Sequence, residues 1–447
     1  MLNNWKKLGM LLLLVVASWT MMAQVPKELS PFSRLGLGDF YYQNTPTTLG
    51  MGGFAAGFGD PYRINLQNPA SLGYLRTASF EAGMFLEKSE IELNGESAES
   101  LNGNLSYLSL GFALNNSLNQ VLDRRVSKLK WGMNFALIPF TTVNYDIRQI
   151  ISDPATGDVR TEYSGSGGTN KFVLSNGVQY GNFSGGLTLG YLFGSIENKR
   201  DVFFLDLANS YQDIFSDDIG VKGFVYDLGV MYKIDIGKDP DNPKALPKQT
   251  LTIGAYGHSA TSFTTSTTRL RSRLNPTYIN VADTIQSNIN VKESGRLPME
   301  LTLGFTFRHK RKILVGLDYT YSDWGNYENP AADFNQENPQ QLTKSSRVSG
   351  GFQFTPDASS YNRYLKRVSY RVGGYYFDDP RLTDLKTYAL TFGAGFPIVL
   401  SRQRTSFFNI AFEVGQTDSD TIDENFYKVS VGFSLNDNSW FFKRKFN

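Results

Sequence analysis

Hydrophobic and polar residues alternate along much of the chain with a period of two. The alternation is clearest at residues 183–193, 301–307, 388–396 and 427–435, where large apolar side chains take one parity and mostly glycine, serine or threonine takes the other. Because successive side chains of a β-strand point to opposite faces, each segment predicts a strand with one apolar and one small polar face. The pattern is typical of both a soluble β-sandwich and a membrane β-barrel, and alternation alone does not distinguish them.

The connections between the strands favour the barrel. The pattern predicts about fourteen strands, near residues 77–92, 104–114, 128–148, 171–180, 182–194, 219–236, 249–258, 298–308, 313–323, 345–355, 366–377, 387–397, 405–414 and 425–435. Long polar connections are expected at 93–103, 149–170, 195–218, 259–297, 324–344, 378–386 and 415–424. Mostly shorter ones alternate with them. An even number of antiparallel strands with this alternation is typical of outer-membrane barrels, whose closed sheet pairs every backbone polar group. The sequence therefore predicts an all-β transmembrane antiparallel barrel over residues 77–436.

Aromatic residues cluster where these strands are expected to end. The residues concerned are Tyr319, Tyr321, Trp324, Tyr370, Tyr375, Tyr376, Trp131 and Tyr145. Amphipathic rings at strand ends are typical of the aromatic girdles that flank the apolar band of a membrane barrel. The alternative interpretation places them in the core of a large β-sandwich.

Composition excludes several functional classes. The chain has no cysteine, which excludes a disulfide scaffold, a thiolate metal site and a cysteine nucleophile. Its 44 Lys and Arg against 42 Asp and Glu give a formal net charge of +2, so charge provides no basis for a nucleic-acid partner. Aromatic residues make up 14% of the chain, which is too many for a disordered protein.

The two ends of the chain are set apart from the predicted barrel. Residues 1–23 place Lys6 and Lys7 before an apolar stretch and end at Ala23, a pattern that predicts a cleaved signal peptide and export to the bacterial outer membrane. A transmembrane anchor is the alternative, but the apolar stretch is short for one. Residues 437–447 combine aromatic and basic side chains, typical of either a solvated tail or an assembly signal.

Residues 24–76 are expected to form a plug. From residue 30 onward this part shows no sustained alternation and is punctuated by glycine, proline and asparagine. Short turns that carry aromatic residues suit a compact hatch packed inside the lumen of the barrel.

Short motifs in this region give the chain a family resemblance. Gly50-Met51-Gly52-Gly53, followed by Gly57 and Asp60 and then by Asn-Pro-Ala-Ser-Leu at 68–72, resembles the N-terminal hatch of the FadL-like family of fourteen-stranded outer-membrane barrels. Residues 167–172, 189–196 and 429–436 also resemble that family. The resemblance implies a non-enzymatic channel that passes small hydrophobic molecules through a hatch-blocked lumen, with sideways exit into outer-membrane lipid. Some relatives are accessory or plug subunits of type IX secretion translocons, so such a partner is the alternative.

The motifs single out eight hatch residues. Gly50, Gly52 and Gly53 permit positive φ and a close approach to the barrel wall. Asn65 belongs to the same punctuated stretch as Asn68 and Pro69, which favour a turn. A further pair, Arg34 and Asp39, is expected either to anchor the hatch to charges in the lumen or to be solvated. Gly50-x-Gly52-x-x-Ala55 also matches a dinucleotide fingerprint, but neither a strand before it nor a helix after it is predicted.

Enzymatic and metal-dependent functions are not indicated. The two histidines are His258, which precedes Ser259 at a strand end where neighbouring side chains diverge, and His309, which lies in a basic turn. An acidic stretch (Asp418, Asp420, Asp423 and Glu424) lacks the spacing and the glycine of a calcium-binding EF-hand loop and is expected to be solvated. No cofactor is predicted. The connections 259–297, with apolar residues at Leu270, Leu274, Tyr278, Ile279 and Val281, and 324–344 suit either a ligand or a partner.

Overall fold

The computed structural model describes residues 30–93, 96–115, 127–207, 209–237, 247–275, 282–333, 342–400, 404–419 and 422–437. The expected signal peptide, Tyr278, Ile279, Val281 and Asp420 lie outside the described residues. So does the C-terminal tail after Asp437.

Seventeen strands form one sheet. They are β1 (Asp39–Phe40), β2 (Ala78–Leu93), β3 (Glu96–Ala113), β4 (Leu129–Asp153), β5 (Gly157–Tyr180), β6 (Phe183–Phe204), β7 (Gln212–Ile236), β8 (Gln249–His258), β9 (Thr261–Leu274), β10 (Ala282–Leu297), β11 (Glu300–His309), β12 (Ile313–Ser322), β13 (Ser345–Phe354), β14 (Ser369–Asp378), β15 (Lys386–Leu400), β16 (Arg404–Asp418) and β17 (Ile422–Asp437).

Fourteen of these strands close into an antiparallel barrel. Neighbours along the chain pair from β2 to β8 and from β11 to β17, β8 pairs with β11, and β17 pairs with β2 over its whole length. The predicted fourteen-stranded barrel is therefore confirmed. We call the end that carries Ala78 and Asp437 the proximal end, and the end that carries Leu93 and Asp418 the distal end.

Several expected loops are strands, and these predictions were wrong. The β4–β5 ladder continues to the pair Asp153 and Gly157, through residues 149–170, and the β6–β7 ladder crosses residues 195–218 in the same way. Strand β3 occupies most of 93–103, and the β9–β10 hairpin fills most of the described part of 259–297, with β9 pairing to the distal half of β7. Ladder hydrogen bonds join backbone groups, so strands continue where side-chain alternation has ended.

The two faces of the barrel wall differ as the alternation predicts. Along β6, Leu187 and Leu189 are 40% and 55% exposed on the outer face, whereas Ser184 and Thr188 on the inner face are almost fully buried. The exposed apolar outer face is suited to contact with lipid. The burial of small polar residues on the inner face shows that other parts of the chain cover that face.

The expected aromatic girdles are present only in part. Trp131, Tyr319, Tyr370 and Tyr376 are exposed on the outer face. Trp324, Tyr145 and Tyr375 are not girdle residues, and this part of the prediction was wrong. The ring of Trp324 is buried 4.3 Å from that of Phe40. The hydroxyls of Tyr145 on β4 and Tyr375 on β14 donate to Asn198 on β6 and Glu413 on β16, in each case across the strand in between.

Helical structure is short. The α-helices among the described residues are α1 (Pro46–Leu49), whose N-terminus is capped by the hydroxyl of Thr45, and α2 (Pro330–Asp333). Short 3-10 helices occur at Pro31–Arg34, Pro69–Tyr74, Trp324–Asn326 and Tyr364–Lys366. In the described part of the chain, no helix has the length and hydrophobicity to span a membrane.

Candidate functional site

The residues before the first barrel strand, Ser30–Thr77, pack inside the barrel; we call them the N-terminal segment. Helix α1 contacts β15, β16 and β17, whereas the turn Pro69–Tyr74 contacts β4 to β7. These strands lie on different sides of the closed wall, and Met51 and Phe54 between the two contacts are fully buried. The segment therefore crosses the inside of the barrel from one side of the wall to the other.

A belt of glycines on the wall makes room for the segment. At each of eleven glycines, an added Cβ would lie within 3.0 Å of an atom of the N-terminal segment. They are Gly111, Gly132, Gly177, Gly186, Gly229, Gly254, Gly316, Gly351, Gly373, Gly393 and Gly432. Several pair in register across neighbouring strands, such as Gly177 with Gly186. The belt therefore lets the backbone of the segment approach the backbone of the wall directly.

The three glycines that the sequence singled out lie at this contact. Gly50 faces the Cα of Gly393 on β15. Gly52 has φ +79° and donates its amide to the hydroxyl of Thr391 at 2.9 Å, and Gly53 has φ +93°. Positive φ favours glycine, and a Cβ on Gly52 would overlap the carbonyl oxygens of Gly350 and Gly374.

One carboxylate on the wall holds the centre of the segment. Asp318 on β12 is 3% exposed, and its Oδ2 accepts the backbone amides of Ala55 and Ala56 at 2.6 and 2.7 Å. Charge-assisted hydrogen bonds of this kind are about twice as strong as neutral ones. By binding backbone amides of the segment, Asp318 fixes the position of the segment along the axis of the barrel.

Asn65 and Asn68 tie the segment to itself. Asn65 Nδ2 donates to the carbonyl oxygens of Ala55 and Phe58 at 2.8 and 2.9 Å. Asn68 Nδ2 donates to Ala56 at 2.7 Å, and its Oδ1 accepts the amide of Ala70 just after Pro69. The predicted turn residues therefore also close a compact fold around residues 55–70.

The distal part of the segment is held by a charged cluster. Asp39 forms an ion pair with Arg381 in the β14–β15 connection, and Arg381 also binds Asp379 through two nitrogens at 2.6 and 2.8 Å. Arg34 instead stacks on the ring of Tyr163 on β5, with its Cζ 4.0 Å from the centroid. The structure thus places both predicted anchor residues against the wall, Asp39 on a charge and Arg34 on an aromatic ring.

Arg381→Ala is expected to loosen the distal part of the segment. The change removes the only ion partner shown for Asp39 among the described residues, a bond type that contributes about 1.5–3 kcal/mol. Hydrogen exchange of residues 30–43 should accelerate at least tenfold. Lys386→Ala, which changes an exposed cation at the start of β15, is the control. Equal exchange in both variants would contradict the role of Arg381.

The proximal face of the segment carries a second charged contact. Arg63 lies 3.9 Å from Asp60, and its Cζ sits 4.2 Å above the ring of Phe407 on β16. Burial lowers the pKa of Arg63, while the nearby Asp60 and Glu81 oppose that shift. On the same side, Arg308 donates to the carbonyl of Gly59 at 3.2 Å.

The described residues of the segment and the wall enclose an inner and a distal cavity. The inner cavity, of about 110 Å³, is lined by Phe140, Lys171, Tyr256, Glu300 and Asp318 among others. The distal cavity, of about 220 Å³, is lined mainly by β2, β3 and β14 to β17.

Arg347 on β13 separates the two cavities. It lines both, and its guanidinium lies between the rings of Tyr42 and Tyr375, 4.1 and 4.2 Å from their centroids. Tyr42 belongs to the N-terminal segment, and burial raises the pKa of its phenol well above the usual value although Arg347 opposes that shift. The hydroxyl of Tyr42 is therefore neutral at physiological pH. Four other residues also line both cavities, namely Phe40, Tyr41, Tyr42 and Phe377.

The wall has an opening between β3 and β4. These strands pair through only six residues each, Leu108–Ala113 with Gly132–Leu137, and a bulge follows at Phe140. Above the bulge, the free edge of β4 is bonded from inside by the segment: β1 pairs with Thr141 and Thr142, and the amide of Tyr41 donates to Phe140. The distal cavity reaches both sides of this opening, since Asn102 and Ile138 line it.

The residues considered for catalysis and metal binding are not assembled into a site. His258 Nδ1 contacts the carbonyl of Ser259, whose hydroxyl bonds the hydroxyl of Tyr226. Asp418 and Asp423 face each other across the last hairpin. Within the described ranges, no group of three or more His, Cys, Asp or Glu residues is arranged to hold a metal ion.

Sequence reasoning missed the wall residues that hold the segment. Asp318, Arg347 and Arg381 were not singled out. A signal exists for Asp318 and for Arg347. Each is the only charged residue within a segment that is predicted to be a membrane strand, residues 313–322 and 345–355 respectively. A charge in such a strand indicates a functional or structural role.

A closed fourteen-stranded barrel whose lumen is filled by its own N-terminus has the architecture of FadL-type channels. A *Pseudomonas aeruginosa* FadL homologue has a TM-score of 0.56 at 12% identity, covering 89% of this chain and 100% of that one. The toluene transporter TodX of *Pseudomonas putida* has a TM-score of 0.54 at 15% identity, covering 89% and 99%. The toluene transporter TbuX of *Ralstonia pickettii* has a TM-score of 0.54 at 14% identity, covering 88% and 98%.

Within this class, the chain belongs to the BamG family. The family model, described as BamG, matches residues 5–447. No curated protein matches the chain at a significant level.

Proposed function

We propose that the protein is an outer-membrane channel for small hydrophobic molecules, with the N-terminal segment as a hatch. The observation that carries the proposal is the opening between β3 and β4, which adjoins the distal cavity and is bonded by the segment itself. The exposed apolar belt suits lipid on the outer face. The named relatives TodX and TbuX, which transport toluene, support the ligand class.

For a solute to pass, the contact of Tyr42 with Arg347 and the pairing of β1 with β4 must break. A solute enters the distal cavity, displaces Tyr42 from Arg347 and reaches the inner cavity. Movement of β1 away from β4, towards the interior of the barrel, then frees the edge of the opening, through which an apolar solute leaves sideways into lipid. Lipid exit is favourable because it keeps apolar surface out of water.

The distal end faces the cell exterior in this proposal. The chain's longer described strands and the β9–β10 hairpin extend at that end, as expected for the outer side of such barrels. The alternative role, as an accessory subunit of a type IX translocon, gains no support from the comparisons.

A disulfide lock between β1 and β4 is expected to stop transport. Phe40 and Thr141 face each other in register, and the chain has no other cysteine, so the double variant Phe40→Cys and Thr141→Cys forms a single cross-link. Accumulation of labelled toluene by cells that carry the protein in their outer membrane should fall at least tenfold, and a reductant should restore it.

The control cross-link joins β4 and β5 outside the segment. Gln149→Cys with Thr161→Cys also pairs facing residues and leaves the segment free to move. Unchanged accumulation in the oxidised Phe40 and Thr141 pair would contradict the proposed hatch. Equal loss in both cross-linked variants would also contradict it.

A further inference from the structure

Three neighbouring connections at the proximal end of the barrel carry an excess of basic residues. They join β7 to β8, β11 to β12 and β13 to β14, and backbone hydrogen bonds link them to one another. The amide of Lys310 donates to the carbonyl of Lys248 at 2.7 Å, and that of Thr355 donates to Lys312 at 2.8 Å. We call the basic residues of these connections the basic rim; they are Lys248, Lys310, Arg311, Lys312, Arg363, Lys366 and Arg367.

Few acidic residues balance the basic rim. Among the described residues of the three connections, Asp357 is the single carboxylate, and its Oδ1 accepts the amide and the hydroxyl of Ser359. Residues 238–246 add two Lys and two Asp to the sequence of the β7–β8 connection, so they leave the balance of charge unchanged.

The connections at the distal end have the opposite balance of charge. Their described residues include two basic ones, Lys344 and Arg381. The acidic ones are Asp206, Asp323, Glu328, Asp333, Asp379 and Asp384. Positive charge is therefore concentrated at the proximal end of the barrel.

The cations of the basic rim are accessible to an anion. Six of the seven side chains are exposed, and Arg367 is half-buried. In the part of the chain that the structure describes, none of the seven forms an ion pair with a carboxylate. A bound anion would therefore compete with water rather than with an acidic side chain of the protein.

The basic rim borders the surface that faces lipid. The hydroxyl of Tyr370, which is exposed on the outer face of β14, donates to the carbonyl of Leu365 at 3.1 Å. This bond places the 3-10 helix Tyr364–Lys366 on the outer side of the barrel, next to the aromatic girdle. Leu365 is 67% exposed and Tyr361 is 95% exposed. Exposed apolar side chains among cations are typical of segments that lie at a membrane interface.

The cations lie at the level expected for lipid headgroups. Val315, which is exposed on the outer face of β12, follows Lys312 by three residues, about 10 Å along an extended strand. Phe354 is likewise exposed at the end of β13, directly before the β13–β14 connection. The basic rim therefore lies just beyond the apolar outer face, where a bilayer has its phosphate groups.

We propose that the basic rim binds the phosphate groups of anionic phospholipids in the leaflet at the proximal end. In the proposed orientation this leaflet faces the periplasm. Cations close to an anionic membrane surface are attracted to it, and apolar side chains in the same segment strengthen the attachment. A lipid fits better than a soluble acidic partner, because a lipid contacts the cations and the adjoining apolar surface together.

Lipid enrichment beside the basic rim tests the proposal. The chain has no cysteine, so Asn362→Cys places one donor fluorophore at the proximal end, and Thr383→Cys places one at the distal end. Energy transfer is measured in phosphatidylcholine nanodiscs that contain a little phosphatidylglycerol or phosphatidylcholine with an acceptor on its acyl chain. We expect phosphatidylglycerol to be enriched at least fivefold over phosphatidylcholine beside Asn362→Cys, and less than twofold beside Thr383→Cys. Equal transfer from the Asn362→Cys donor to both lipids would overturn the proposal.

Variants that remove charge locate the binding. Replacing the three basic residues at 310–312 by Gln should lower the enrichment beside Asn362→Cys to below twofold. The matched control removes the same charge through Gln at three exposed cations elsewhere, and it should leave the enrichment unchanged. These cations are Lys292, Lys344 and Lys386. Enrichment that persists in the folded rim variant, or that is lost equally in the control, would overturn the assignment.

Two soluble probes separate a membrane lipid from a soluble anion. Glycerol phosphate carries the headgroup phosphate without acyl chains, and it should not displace the labelled phosphatidylglycerol. Displacement by glycerol phosphate would overturn the proposal. Binding of polyglutamate to the basic rim without any enrichment of phosphatidylglycerol would also overturn it, and would assign the surface to an acidic protein. The lipid site goes beyond the proposed transport, and none of these measurements depends on the passage of toluene.

Discussion

Gly186→Val is expected to drive the N-terminal segment off the barrel wall and to open the lumen to ions. An ideal Cβ at Gly186 would overlap the carbonyl carbon of Pro69 and lie 2.4 Å from the amide nitrogen of Ala70. These are backbone atoms, so no side-chain rotation can relieve the clash. Overpacking costs about 1–3 kcal/mol or more, and here displacement of the turn Pro69–Tyr74 is the way to avoid it.

Conductance in planar bilayers measures the effect. Steady current through Gly186→Val should exceed that of the unmodified protein at least tenfold. Gly185→Val is the matched control, because Gly185 is the neighbouring residue on the outer face and the nearest heavy atom to its Cβ is 3.8 Å away. A folded Gly186→Val barrel with unchanged current would show that this contact does not hold the lumen closed.

Asp318→Ala is expected to release the middle of the segment. The change leaves the backbone amides of Ala55 and Ala56, which are both fully buried, without the acceptor on the wall. Each unsatisfied amide is expected to destabilise the bound position of the segment by about 1–3 kcal/mol. Asp318→Asn keeps an oxygen that can accept from both amides and should cost less than Asp318→Ala.

Hydrogen exchange of a peptide covering residues 50–58 reports this release. A loss of about 2 kcal/mol corresponds to exchange about 30-fold faster, since each tenfold change is about 1.4 kcal/mol. Asp227→Ala removes a carboxylate from the same inner cavity that has no hydrogen bond shown to the segment, and it should leave the exchange unchanged. Similar rates in the Asp318 and Asp227 variants would contradict the anchoring role.

The membrane-crossing strands were predictable because the two sides of the wall differ in polarity. Where the wall separates lipid from the packed lumen, alternation persists: residues 249–258 coincide with β8, and 345–355 differs from β13 by one residue. Where the ladders continue beyond the alternation, as in β4 and β5 between 149 and 170, side chains no longer report the strand. The sequence pattern therefore recovered the barrel but not its distal extension.

The irregular course of the N-terminal segment was predictable for a different reason, whereas its role as a plug remains a prediction. Glycine and asparagine punctuation marks chain that turns tightly, and the structure places Gly50, Gly52 and Asn68 at such turns and close contacts. The partners on the wall were not predictable, because the contacts join distant parts of the chain. Asp318 lies 263 residues from Ala55. Its position as the only charge in a predicted membrane strand indicates a role, but it does not identify the amides that the carboxylate binds.

The aromatic residues show the limit of position along a strand as a guide. Tyr375 and Tyr376 are adjacent, yet the first is half-buried and donates to Glu413, whereas the second is exposed on the outer face. The two residues differ only in the face of the strand to which they point, Tyr375 inward and Tyr376 outward. The girdle interpretation did not take this alternation into account. Parity would have identified Tyr375 as an inner residue.

The central claim is that residues 46–76 fill the lumen of the resting barrel. Hydrogen exchange of the unmodified protein in lipid nanodiscs tests it most directly, through the amides of Gly52, Ala55, Ala56 and Ile64, which donate to side chains of the wall. We expect these amides to exchange at least 1000-fold more slowly than unstructured chain, like those of the neighbouring strands. Exchange within seconds would show that the segment lies outside the lumen and would contradict the account.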